Sequence, residues 1–177
     1  MLFEPSKIAG AFILAPQRHE DDRGHFARTF CVDELAAHGL VTSVAQCSVS
    51  WNRRAGTLRG MHYQIAPHEE TKVVRCTAGA VFDVMLDMRP ASPTFRQWQG
   101  VELTAANGLA LYIPAGVAHG FQTLVDATEV FYMISTRYEP SAARGIRWDD
   151  PAFAIAWPPV AERTISERDR AFPLITH

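Results

Sequence analysis

"KVVRCTAGAVFDVMLDM" (residues 72–88) sets two apolar runs on either side of one turn. Lys72–Cys76 and Ala80–Met88 are rich in Val, Leu, Phe and Met, which suit a pleated, half-buried surface. Ala78-Gly79 between them is a turn signal, because glycine adopts left-handed backbone without steric cost. Both runs read as strands. In the second, Val81, Asp83, Met85 and Asp87 share one face, and Phe82, Val84, Leu86 and Met88 the other. Two acids on one face of a mid-chain strand point either to a polar barrel interior or to a wetted outer surface.

The same pattern continues outward. "LRGMHYQ" (58–64), "WQGVEL" (98–103), "LALYIP" (109–114), "HGFQTLV" (119–125) and "EVFYMIS" (129–135) also read as strands. Turn signals separate them at Asp22-Arg23-Gly24, Ala55-Gly56, Asn107-Gly108 and Pro114-Ala115-Gly116. Ile8 to Ala15 reads as one more strand, being too short to span a bilayer and lacking a basic leader. One helix is expected over Val32–His38, closed by Gly39. The polar tail "ERTISERDRAFPL" (162–174) is expected to wrap the surface, with a single helical turn at Ser166–Asp169. Many short strands and almost no helix predict an all-β antiparallel sandwich or barrel, as a single domain over 1–177.

Composition narrows the partners. A formal charge of −2 gives no electrostatic footprint for nucleic acid or a membrane surface. Cys31, Cys47 and Cys76 are odd in number, widely spaced and free of any CxxC, which fits a reducing, cytoplasmic setting.

His62 lies between apolar neighbours in "LRGMHYQ", as a metal ligand, a catalytic base or a satisfied core histidine. A metal would draw on His62, His68, Glu69 or Glu70, and His119. Metal-binding barrels of this kind carry H-x-H with a Glu a few residues on; here Tyr63-Gln64 interrupts that spacing. Arg59, His62 and Lys72 would instead gather three basic groups, which a core does not bury unpaired. A cavity for an anionic substrate would use them: Arg on diphosphate oxygens, Lys on a developing oxyanion. His119 and Tyr132 could face the same lumen, His as a base near neutral pH and Tyr as an acid.

Taken in order, "DDRGHFARTF" (21–30), "GTLRGMHYQ" (56–64), "KVVRCTAGAVFDVMLDMRPASPTF" (72–95), "LYIPAGVAHGF" (111–121), "RGIRWDDPAFAIAWP" (144–158) and "ISERD" (165–169) resemble the dTDP-4-dehydrorhamnose 3,5-epimerase family from end to end. The resemblance implies a cupin-like jelly roll (a double-stranded β-helix) with short peripheral helices, binding no metal and needing no cofactor. It implies a nucleotide-sugar substrate and a homodimer. His62 falls on the family's general base, Asp169 on the acid paired with it, Tyr132 on the general acid and Lys72 on the lysine beside the C4 carbonyl. Arg59 and His119 match substrate contacts, Arg59 at the diphosphate. Gln46 and Ser48 fall in a substrate-binding stretch. Tyr138 matches an aromatic that stacks on the base, and Arg23 and Phe26 match nucleotide contacts reaching across a dimer interface.

Four positions depart from the pattern: Arg28 replaces a Glu, Ala143 an acid, Ser48 an Asn and Arg137 a Tyr. Arg28 is the informative one. Thymine offers an N3–H donor that a carboxylate accepts, whereas cytosine offers an N3 acceptor that a guanidinium serves. Arg28 as a substrate contact therefore points to a CDP-sugar as the alternative to a dTDP-sugar. The competing functions are a 3,4-ketoisomerase, a single-position epimerase and a non-catalytic sugar-nucleotide binder.

Overall fold

The turn at Ala78-Gly79 carries the chain from one sheet to another. The computed structural model describes residues 1–175, so the last two positions of the expected domain lie outside it. Strand β7 (Lys72–Ala78) lies in a six-stranded sheet with β1 (Leu2–Pro5), β2 (Phe12–Ala15), β5 (Gln46–Asn52), β10 (Ala110–Ile113) and β12 (Thr128–Ile134), in the order β1-β2-β10-β7-β12-β5. Strand β8 (Ala80–Asp87) lies in a five-stranded sheet with β6 (Leu58–Gln64), β9 (Trp98–Thr104), β11 (Val117–Thr123) and β13 (Ala143–Gly145), in the order β13-β6-β11-β8-β9. A separate hairpin joins β3 (Arg18–Asp21) and β4 (Gly24–Ala27). Every strand pairing within the sheets is antiparallel, and the two sheets face each other as a jelly roll. Gly79 makes the corner possible: its φ is +75°, and a Cβ there would lie 2.4 Å from Thr128 Oγ1.

Val74, Cys76, Leu111 and Val130 from one sheet meet Val81, Met85, Val117 and Phe121 from the other in a buried interior. The five-stranded sheet buries its outer face, including Leu58, Met61, Val84 and Leu86, under Ile146, Phe153 and Trp157. The short helix α1 (Val32–Ala37) puts Leu35 over the outside of the six-stranded sheet, against Leu14, Val73 and Tyr112. Gly39, at φ +69°, closes that helix as expected.

Asp83 and Asp87 point into the interior with Val81 and Met85, and both are fully buried. The wetted outer face is thereby excluded. Asp87 is neutralised by Arg89 at 2.7 Å and accepts hydroxyls from Ser92 and Thr94 at 2.5 and 2.6 Å. Two expectations need correction. The strand expected over 8–15 starts only at Phe12, because Ile8 to Ala11 close a tight turn at Gly10 (Ala11 N–H to Ile8 O, 3.0 Å). The tail also does more than coat the surface. Ser166 caps helix α2 (Glu167–Arg170) by accepting the Asp169 N–H, and Asp169 is 4% exposed.

Candidate active site

A cavity of about 690 Å³ opens between the sheets. Strand alternation aims its walls: Gln46, Ser48 and Ser50 from β5, Lys72 from β7, Tyr132 from β12, and His62 and His119 from the opposite sheet all line it. His119 lies directly across from His62 in the β6–β11 ladder.

His62 Nε2 sits 2.7 Å from Asp169 Oδ1. The second carboxylate oxygen of Asp169 accepts the Gly60 N–H at 3.1 Å. Burial alone would raise the Asp169 carboxyl, but His62, the Gly60 N–H and Ser166 together hold it below the usual carboxylate value. A charged Asp169 accepts the ring N–H and so fixes the tautomer. It leaves Nδ1 without a hydrogen bond to any described residue. His62 is half-buried, its side chain 40% exposed towards the cavity. Phe172, further along the tail, packs edge-on to the imidazole at 6.0 Å.

Gly60 permits this contact. Its φ of +133° is open only to glycine, and a Cβ there would fall 2.5 Å from the Gly120 Cα. The close approach of β6 to β11 and the aim of the Gly60 N–H both follow from the missing side chain.

Lys72 Nζ donates to the His62 carbonyl at 3.3 Å and pairs with Glu70 Oε1 at 2.8 Å. Both side chains are about nine-tenths buried. Tyr132 packs edge-on to His119 at 5.8 Å between ring centres. Its phenol is pushed well above the usual tyrosine value, first by burial and then by the nearby Asp83 carboxylate, with Arg59 opposing. It therefore stays a protonated donor throughout the working pH range. His119 Nε2 meets Asp83 Oδ1 at 2.8 Å, with both side chains almost fully buried. Arg59 is steadied by Asn52 Oδ1 at 2.8 Å.

The cavity thus unites His62, Asp169, Lys72, Tyr132, Arg59, His119, Gln46, Ser48 and Tyr138. Tyr138 stands at the rim, and its N–H donates to Gln46 Oε1 at 3.4 Å. Three expected substrate contacts lie outside this cavity. Phe26 is 75% exposed on the β3–β4 hairpin, and Arg23 is paired with Asp21 at 2.6 Å. Arg28 is paired with Glu34 at 2.8 Å, which also takes the terminal amine of Met1.

Of the side chains weighed for a metal, His62, His119 and Glu70 are engaged with other partners. His62 and His119 each commit Nε2 to a carboxylate and Glu70 is committed to Lys72, and among the described residues no three His, Cys, Asp or Glu side chains converge. Three residues outside the expected site matter to it: Asn52, Asp83 and Glu70. Asp83 was marked by its polar place in an apolar strand. Glu70 was weighed only as a metal ligand; its spacing of two from Lys72, which puts both on one face of an extended chain, was the signal that could have found it. Asn52 carries no sequence signal, since its contact with Arg59 depends on how the sheets pack.

The dTDP-4-dehydrorhamnose 3,5-epimerase family model matches residues 5–177. The chain belongs to that family. It is therefore a carbohydrate epimerase, an isomerase by reaction class. The epimerase is 38% identical over 173 residues to the dTDP-4-dehydrorhamnose 3,5-epimerase of Sinorhizobium fredii, covering 98% of this chain and 89% of that protein. The dTDP-4-dehydrorhamnose 3,5-epimerase of Bacillus anthracis, solved with TDP and PPi bound, superposes with a TM-score of 0.94 at 38% identity, covering 98% and 99% of the two chains. A 3'-monoepimerase from Streptomyces bikiniensis, in complex with dTDP-quinovose, superposes with a TM-score of 0.88 at 36% identity, covering 96% and 85%. The epimerase shares their cupin-like jelly roll.

Proposed function

We propose that this epimerase inverts C3, C5 or both of a nucleoside-diphosphate 4-keto-6-deoxyhexose without a cofactor. The observation that carries the reading is the His62–Asp169 contact of 2.7 Å on a cavity that also holds Lys72 and Tyr132. Hydrogens beside a ketone are acidic, because the electron pair left by the departing proton is stored on the carbonyl oxygen. His62 takes that proton through its free nitrogen, and Asp169 stabilises the imidazolium that forms. The Lys72 ammonium meets the enolate oxygen, an effect that typically lowers a barrier by about 3–4 kcal/mol. Tyr132 returns a proton to the opposite face of the same carbon. The electron count closes on the substrate, which is its own sink, and the His62 imidazolium and Tyr132 phenolate are reset by proton exchange with solvent through the open cavity.

Arg59 is suited to the diphosphate by its planar donors. Gln46, Ser48, His119 and Tyr138 complete the contacts with sugar and base. A dimer would bring the partner's exposed Phe26 and Arg23 to the nucleotide. We place the enzyme in the cytosol, in keeping with three unpaired cysteines, one of them exposed. Inversion at one position only is the second reading, favoured by the similarity to a 3'-monoepimerase.

The test is incubation with dTDP- and CDP-linked 4-keto-6-deoxyglucose in deuterated water, read by NMR. Deuterium at C3 and C5 with inverted products supports double epimerisation; deuterium at one carbon supports the single-position reading. A ketone moved to C3 would mean a ketoisomerase, and no exchange would mean a binder. A clear preference for dTDP over CDP would remove Arg28 as a determinant for cytosine.

A further inference from the structure

Glu70 stands beside Lys72 on the cavity wall, and both side chains are about nine-tenths buried. The segment before β7 is pinned on both sides. The Thr71 N–H donates to Ser135 Oγ at 2.8 Å, the Ser135 N–H donates to Thr71 O at 3.0 Å, and Thr136 Oγ1 donates to Glu69 O at 2.8 Å. These contacts extend the β7–β12 ladder past Lys72 and fix the chain as extended, so residues 70 and 72 share a face. Glu70 Oε1 reaches the Lys72 ammonium at 2.8 Å, with the two side chains 10% and 9% exposed. The His62 carbonyl, at 3.3 Å, takes a second ammonium proton.

We infer that Glu70 is a positioning residue that holds the Lys72 ammonium, charged and aimed, at the wall where the enolate oxygen develops. The inference rests on the role proposed for Lys72. A buried ammonium without a counter-charge is disfavoured relative to the neutral amine. The other charged or titratable groups around the cavity cannot replace Glu70. From β6 come Arg59, His62 and Tyr63, from β12 Tyr132, from the segment after it Tyr138, from β11 His119, from β13 Arg144, and from the tail Arg168 and Asp169. Most of these are neutral or cationic; Asp169 is spent on His62, and Asp83 behind them on His119. Glu70 is thus the carboxylate paired with Lys72 among the described residues.

The sequence supplies a direct test, because Lys7 and Lys72 are its only lysines. Carbon-13-labelled lysine then gives one reporter in the site and one internal control. In Glu70→Gln the Lys72 signal should titrate below its position in the native protein, with Lys7 unmoved. Glu70→Asp keeps the charge but shortens the arm, so it should restore most of the midpoint while lowering kcat roughly 10- to 100-fold with KM little changed. Coincident Lys72 titrations in the native protein and Glu70→Gln, or equal midpoints in Glu70→Gln and Glu70→Asp, would overturn the inference. Lys72→Met separates the two readings. If it exchanges deuterium normally while Glu70→Gln still shifts Lys72, the pairing stands and the enolate role falls.

Discussion

His62 and Asp169 are 107 residues apart in the chain and 2.7 Å apart in space. One lies on a central strand of the jelly roll, the other on a one-turn helix near the end of the chain. His62 and Asp169 are thus joined only when the tail docks. Asp169→Asn should keep the fold, because the amide oxygen can still accept a ring N–H. It loses the negative charge that stabilises the imidazolium, so kcat should fall by roughly 10²–10⁴. His62→Ala should abolish deuterium exchange at both carbons. Near-normal turnover by His62→Ala would remove the proposed base.

In the proposed mechanism Tyr132 acts at proton return and not at proton removal. Tyr132→Phe should slow completed epimerisation by about 10²–10⁴ and spare exchange at the abstracted position, measured as deuterium content of recovered substrate against product. Equal losses in exchange and inversion would place Tyr132 outside the reprotonation step.

Gly60 couples the fold to the site through its backbone. Gly60→Ala combines a φ of +133° with a Cβ only 2.5 Å from Gly120. The expected cost is at least about 1–3 kcal/mol, together with loss of the N–H contact to Asp169. A melt and a kcat measurement on the same sample check both; a variant as stable and active as the native enzyme would contradict the geometry.

Asp87 should contribute to stability against acid. Burial alone would raise its carboxyl, but Arg89, Ser92 and Thr94 outweigh burial and hold it far below the usual carboxylate range. A folded value lowered below the unfolded one stabilises the fold above about pH 4, and that contribution fades as pH falls through the folded value. Asp87→Asn should cost about 3 kcal/mol at pH 7, or roughly 6–12 °C in Tm. The gap between variant and native melts should narrow on acidification below pH 4. Superimposable melts at pH 7 would rule the network out as a stabilising element.

Strands β6 to β12 were legible because side-chain alternation and turn residues are local properties; β1, β3, β4, β5 and β13 were not read from the sequence. The structure places β6 over the expected span and starts and ends β7 to β12 within two residues of their apolar runs. Local pattern failed at Ile8–Ala11, where burial of Ile8 in a turn imitates the apolar run of a strand. It also could not tell that Ala78-Gly79 turns a corner between sheets, since a glycine with positive φ serves a hairpin or a corner equally.

At the site, the chain alone supplied the reactive groups: an imidazole, an ammonium, a phenol and a guanidinium, each within a run whose alternation set its face. Packing decided which of them meet. Asp169 pairs with His62 through docking of the tail, Asn52 with Arg59 through apposition of the sheets, and Asp83 with His119 through the β8–β11 register. Spacing along a strand is fixed by covalent geometry and can be read from letters. Contact between distant segments depends on which surfaces bury each other, and that is settled only when the whole chain closes around its core.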